Sequence, residues 1–140
     1  MIPLHPALVH IAVAFLPIAF ILELYALAFK KKNVSAVAWW NQVIGTIGVG
    51  LAIYSGLQAE KTARFSATAH EILERHEQIA FVVGAVVALL LLWRLGTRGN
   101  LPDKLRWLYM VLYAAGVAAL LFGAWHGGEL VFGHGVGVQP

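Results

Sequence analysis

Apolar residues run along this chain in four long blocks, broken by three polar clusters. The blocks cover about residues 7–29, 37–57, 77–95 and 105–125. Each is close to the ~20 residues a helix needs to cross a bilayer. The breaks are Lys30-Lys31-Lys32-Asn33, the stretch 58–76 and the turn T-R-G-N-L-P-D-K. The pattern predicts an all-α protein, an integral membrane four-helix bundle in a single domain. Pro3 and Pro6 suit the entry to a helix, where a missing N–H is harmless. Pro17, in mid-span, predicts a kink that neighbouring helices can accommodate. Trp39 and Trp40 open the second span, where an aromatic belt belongs. Gly45, Gly48, Gly50 and Gly56 let another helix, or a flat cofactor, come close to that span.

The middle of 58–76 reads as an outer loop. Its last turns read as an amphipathic extension of the third span, because Ile72, Leu73 and Ile79 keep a helical period. The glycine-rich tail, 126–140, carries Leu130, Val131, Phe132, Val136 and Val138. These are too apolar for a free end in water. The tail is expected to fold back over the outer end of the bundle and bring His134 toward the other histidines.

Composition closes off a soluble fold. Of 140 residues, 60% are hydrophobic and 12% charged, and the mean hydropathy is +0.76. A chain this short has too little interior to hide that surface. The net charge of +3 raises a nucleic-acid reading, but the basic residues lie between spans, as topology signals do. Lys30, Lys31, Lys32, Arg94, Arg98, Lys104 and Arg106 share one face, and Lys61, Arg64 and Arg75 the other. The positive-inside rule then puts both termini and the long loop outside the cytoplasm. This predicts a multi-pass protein of the cell (inner) membrane. The N-terminus lacks the basic region of a cleavable signal peptide and is expected to remain as part of span one. The absence of cysteine removes thiolate metal sites, iron–sulfur clusters and c-type haem attachment.

A weak repeat is visible. Spans one and three begin with histidine pairs, His5 with His10 and His70 with His76. Spans two and four end in S-G-L-Q-A-E and H-G-G-E-L. Two hairpins related by an axis along the membrane normal would look like this.

All six histidines fall at the outer ends of spans: His5, His10, His70, His76, His126 and His134. Ionisable residues at membrane depth are costly and tend to mark sites or pathways. Imidazole suits iron, copper and zinc, and it is an axial ligand of haem. His5 and His10 are five residues apart, so on one helix they diverge by roughly 140°. His70 and His76 diverge too. A shared site therefore needs ligands from different helices, as in a bis-histidine haem b. His10 with His76 is the preferred pair by depth, with His126 able to replace either.

Other motifs fail. H-E-I-L-E has Glu74 where a zincin needs its second histidine. No glutamate has a histidine three residues on, as a di-iron bundle requires. His70 with Glu74 and His126 with Glu129 do share helix faces, and they sustain the alternative of a non-haem copper, iron or zinc site. No nucleophile–base arrangement is visible. Glu23, inside span one, reads as a carboxylate held near the interface, with a proton-pathway role as the alternative.

H-P-A-L-V-H-I-A-V-A at 5–14 and G-G-E-L-V-F-G-H-G-V-G-V at 127–138 resemble the start and end of a bacterial four-span family, domain of unknown function 2231. His5, His10, Gly128 and His134 match its pattern, with Phe132 as its aromatic, while His126 falls outside it. The resemblance implies a four-span membrane fold and no activity. Taken with the histidines, the expected function is a small cytochrome b-like electron-transfer protein, more a carrier or subunit than a stand-alone enzyme. Its expected partners are lipid, then quinone or a periplasmic electron carrier, then a second copy or a respiratory complex. The alternatives are the non-haem metal protein and a structural subunit whose histidines bind nothing.

Overall fold

A computed structural model of the protein describes residues 4–61, 66–99 and 103–136. Pro3, Arg64 and Val138 lie outside the described residues. Four helices follow in order: α1 (Leu4–Ala28), α2 (Lys32–Glu60), α3 (Ala67–Gly96) and α4 (Asp103–Phe132). At 1.5 Å per residue, helices of 25 to 30 residues extend roughly 37–45 Å. All four are long and apolar enough to cross a membrane, and each outruns a hydrocarbon layer of about 30 Å.

The helix ends follow from side-chain and backbone chemistry. Ser66 caps α3, its hydroxyl accepting from the Ala69 N–H at 3.2 Å. Asp103, in the first turn of α4, sits favourably against the positive end of the helix dipole. α1 and α3 stop in Schellman turns, with Lys31 N–H on Ala26 O and Gly99 N–H on Arg94 O, both 2.9 Å. The left-handed residue of each turn is a cation, Lys30 (φ 54°) and Arg98 (φ 51°). Glycine would spare about 1 kcal/mol at each.

α4 does not stop where the glycines begin. Gly127 and Gly128 are helical, and Leu130, further on, is 5% exposed. A satellite core of Ala69, Leu73 and Leu130, flanked by Ile72 and Val136, ties the outer turns of α3 to the end of α4. The turn after α4 closes with Val136 N–H on Leu130 O at 2.9 Å. The expected ordered tail is thus a helix end plus a closing turn, and His134 is exposed within it.

α1 packs on α2 and α4, and α3 packs on the same two, so the helices form a square. Glycine sets the close approaches. A Cβ on Gly45 would lie 2.6 Å from Leu16, and one on Gly48 2.9 Å from Ile11. Gly116 and Gly123 receive Val86 and Ile79 in the same way across α3 and α4. Lipid supplies no hydrophobic drive between helices, so such small-residue packing carries the association. The core holds Ala12, Leu16, Ala19, Val49, Val83, Val87, Leu90, Tyr109 and Tyr113. Large apolar side chains such as Ile21, Leu92 and Phe122 are more than 48% exposed on the outside, where lipid would cover them.

The two hairpins repeat one another's contacts. His5 reaches from α1 to Ala52 O on α2, and His76 reaches from α3 to Gly123 O on α4. Each bond spans 47 residues. The shift that carries His5 onto His76 also lays Ala12 on Val83, Leu16 on Val87, Ala19 on Leu90, Glu23 on Arg94 and Gly45 on Gly116, all of them buried. The buried faces therefore set the register of the repeat: His5 corresponds to His76, not to His70 as the histidine pairs suggested.

A candidate cofactor site between facing helices

Helix connectivity gathers the start of α1, the end of α2, the start of α3 and the end of α4 at one end of the bundle. There the rings of His5 and His76 meet across the square diagonal, with centres 6.3 Å apart and planes at 83°. Both are partly buried. His5 Nδ1 lies 3.0 Å from Ala52 O and 3.1 Å from Ser55 Oγ, and His76 Nδ1 lies 2.9 Å from Gly123 O. A carbonyl only accepts, so each Nδ1 carries the hydrogen. Each neutral ring then leaves Nε2 as a bare lone pair, the tautomer that binds a metal. Ser55 Oγ, itself 3.0 Å from Ala52 O, steadies the His5 side.

Glycine makes room for both rings. A Cβ on Gly56 would lie 3.1 Å from His5 Cε1, and one on Gly127 3.2 Å from His76 Cε1. These are the only two glycines among the described residues whose nearest neighbour would be a histidine ring.

The ring facing His76 is thus His5's rather than His10's. His10 is exposed on the outer face of α1, and its Nδ1 bonds back to Pro6 O. The reason is angular: five residues carry His10 about 140° around the helix from His5. His126 turns its Nδ1 to Phe122 O at 2.9 Å and packs its ring between Phe122 and Trp125, at 4.5 and 5.4 Å. His70 and Glu74 approach to 3.5 Å with both side chains more than half exposed. Glu129 is exposed as well. Among the described residues no three His, Asp or Glu side chains converge as a metal cluster. His5 and His76 stand as a pair.

The opposite end of the bundle holds a second polar constellation. Glu23 and Arg94, at equivalent positions of the repeat, form an ion pair of 2.9 Å with side chains 4% and 5% exposed. The Ser35 hydroxyl donates to the Glu23 carboxylate at 3.0 and 3.2 Å and accepts from Arg94 Nη2 at 2.8 Å. Arg94 also donates to Ser35 O, and its guanidinium lies 5.4 Å from the centre of the Trp39 ring. Deeper in, the buried Tyr109 hydroxyl donates to Gln42 Oε1 at 2.8 Å. Arg94 is therefore an inward-facing partner of Glu23 rather than a surface topology charge.

The model of the family described as a predicted membrane protein, DUF2231, matches residues 1–140. The chain belongs to that family. Comparison with curated proteins and with solved structures gives no match. Within this DUF2231 protein the two end motifs now separate by role. From the opening motif His5 faces inward, whereas His10 faces outward. From the closing motif Gly128 has open space beside it, and Phe132 and His134 are exposed. Sequence reasoning missed the Glu23–Arg94 pair and the partner of His76. The signal was present in the heptad spacing, because His5, Ala12 and Ala19 share one face of α1, as His76, Val83 and Leu90 do on α3.

Proposed function

We propose that this protein is a small membrane electron-transfer protein of the cytochrome b kind, holding one haem between α1 and α3 through His5 and His76. The observation that carries the reading is the matched anchoring of the two rings. Each sends its Nδ1 hydrogen to a main-chain carbonyl of the neighbouring helix, which leaves Nε2 as the unprotonated nitrogen of a neutral ring. Two imidazoles that bind one ion on opposite sides, with nitrogens about 2 Å from it, have ring centres about 6 Å apart, near the spacing observed here.

The donor set favours haem over a bare ion. Zinc or non-haem iron asks for three or more protein ligands, and the pair supplies two. His5 and His76 would hold haem, which brings its other ligands with it. Bound haem would contribute one-electron chemistry. The protein's own part would be to fix both imidazoles in one tautomer through Ala52, Ser55 and Gly123, and to set the polarity around them. A single copper ion between two imidazoles is the second reading, resting on the same pair.

Charge distribution supports the rest of the assignment. The histidine end carries few basic residues and the opposite end many, so the site would face outward from a bacterial inner membrane. From there electrons could pass to or from a quinone or a soluble carrier outside, with the chain working as a homodimer or as a subunit of a respiratory complex.

The test is spectroscopic. Protein expressed with ample haem and purified in mild detergent should show the reduced-minus-oxidised bands of six-coordinate haem b. A colourless, folded preparation would contradict the reading, and its copper content by elemental analysis would then decide the second one.

A further inference from the structure

We propose that the lysine- and arginine-rich end of the bundle is a binding site for a phosphate group. A cleft of about 820 Å³ opens there, with Glu23, Ser35, Trp39 and Arg94 among the residues around it. Its cations are Lys30, Lys31, Lys32, Arg94, Arg98 and Arg106, and among the described lining residues the only carboxylate is Glu23. Arg94 is matched by Glu23 at 2.9 Å, and Arg106 is bound to Asp103 at 2.9 Å. The charge of Lys30, Lys31, Lys32 and Arg98 is left without a lining carboxylate to balance it.

Two further observations make this more than a scatter of topology signals. The cations come from both turns at this end and converge on one cavity, whereas Lys104, on the same face of the sequence, does not line it. Lys30 and Arg98 also hold left-handed backbone, φ 54° and 51°, at Schellman positions where glycine is the ordinary residue. The chain keeps a cation at each of two sites where its backbone would favour glycine, and both side chains line the cleft.

Arginine and lysine together suit phosphate, Arg by its planar fork and Lys as a point charge. The cleft lies at the ends of the apolar helices, where a bilayer would present its headgroups. The phosphate could therefore belong to an anionic phospholipid, as basic pockets between spans bind them, or to a free phosphate compound.

Native mass spectrometry of the full chain, released from nanodiscs of mixed phosphatidylcholine and phosphatidylglycerol, tests this. Wild type should retain phosphatidylglycerol preferentially. Lys30→Gly with Arg98→Gly should lose about tenfold in retention while unfolding at no lower temperature, since glycine fits both backbones. Lys31→Gln with Lys32→Gln should show a similar loss without touching the left-handed residues. Lys104→Gln should behave as wild type. A parallel thermal-unfolding series with inorganic phosphate separates the sources. An upward shift in wild type that both double variants lack assigns free phosphate. Lipid retention with no such shift assigns the headgroup. The proposal is overturned if neither lipid preference nor phosphate shift occurs, or if Lys104→Gln loses as much as the double variants.

Discussion

At the residue scale, rotation about the helix axis decides which histidine of α1 faces His76. His10 lies deeper along α1 than His5, and depth alone favours it. Facing favours His5, which lies one heptad before the buried Ala12. Depth was readable from hydropathy, but facing needed the buried stripe of α1, which an almost uniformly apolar helix hides. The same blindness applied to Glu23 and Arg94. Glu23 looked like an isolated carboxylate near an interface and Arg94 like one topology signal among several, and only the packing of α1 across from α3 makes them partners. Glu23→Ala or Arg94→Ala should each cost about 3–5 kcal/mol, because a lone buried charge remains. Glu23→Ala with Arg94→Ala should cost less than the sum of the two single changes. Unfolding titrations in mixed detergent would measure both, and additive losses would argue against a coupled pair. Gly127→Ala pushes a methyl to 3.2 Å from His76 Cε1, so it should shift the spectrum or reduce the occupancy of any group bound there while leaving helicity by circular dichroism unchanged.

At the element scale, the helices were legible and their ends less so. Four apolar blocks gave the number and order of the spans. α4 runs past the two glycines that looked like a tail because Gly127 accommodates the His76 ring and Leu130 is buried against α3. Neither fact is visible without the neighbouring helix. The glycines of α2 could have admitted a helix or a flat cofactor, and the structure fills Gly45 and Gly48 with α1 side chains. Gly45→Val should therefore force Leu16 aside and cost about 1–3 kcal/mol as overpacking. Gly50→Val, at a position with open space beside it, should cost less than 1 kcal/mol. Equal losses in a detergent unfolding series would show that α1 and α2 do not meet as described.

At the scale of the whole molecule, four alternating helices put the start of α1 and the end of α4 on one side, with the His5–His76 pair. In the proposed orientation, drawn from the charge asymmetry, that side faces outward. The chain contains no cysteine, so single cysteines report topology without background. Ser66→Cys, at the histidine end, should react with a membrane-impermeant maleimide in intact cells, and Lys104→Cys only after lysis. The reverse pattern would turn the protein over and move the candidate site to the cytoplasmic side. The repeat adds a second whole-molecule expectation: the two hairpins hold their histidines by the same bond, so neither ring should suffice alone.

Haem content per chain, compared side by side in wild type, His5→Ala, His76→Ala, His10→Ala and His126→Ala, tests the central claim most directly. The account predicts bound haem in wild type, His10→Ala and His126→Ala, and its loss or conversion to a five-coordinate spectrum in His5→Ala and His76→Ala. Equal haem content in all five proteins, or loss in His10→Ala with retention in His5→Ala, would contradict it.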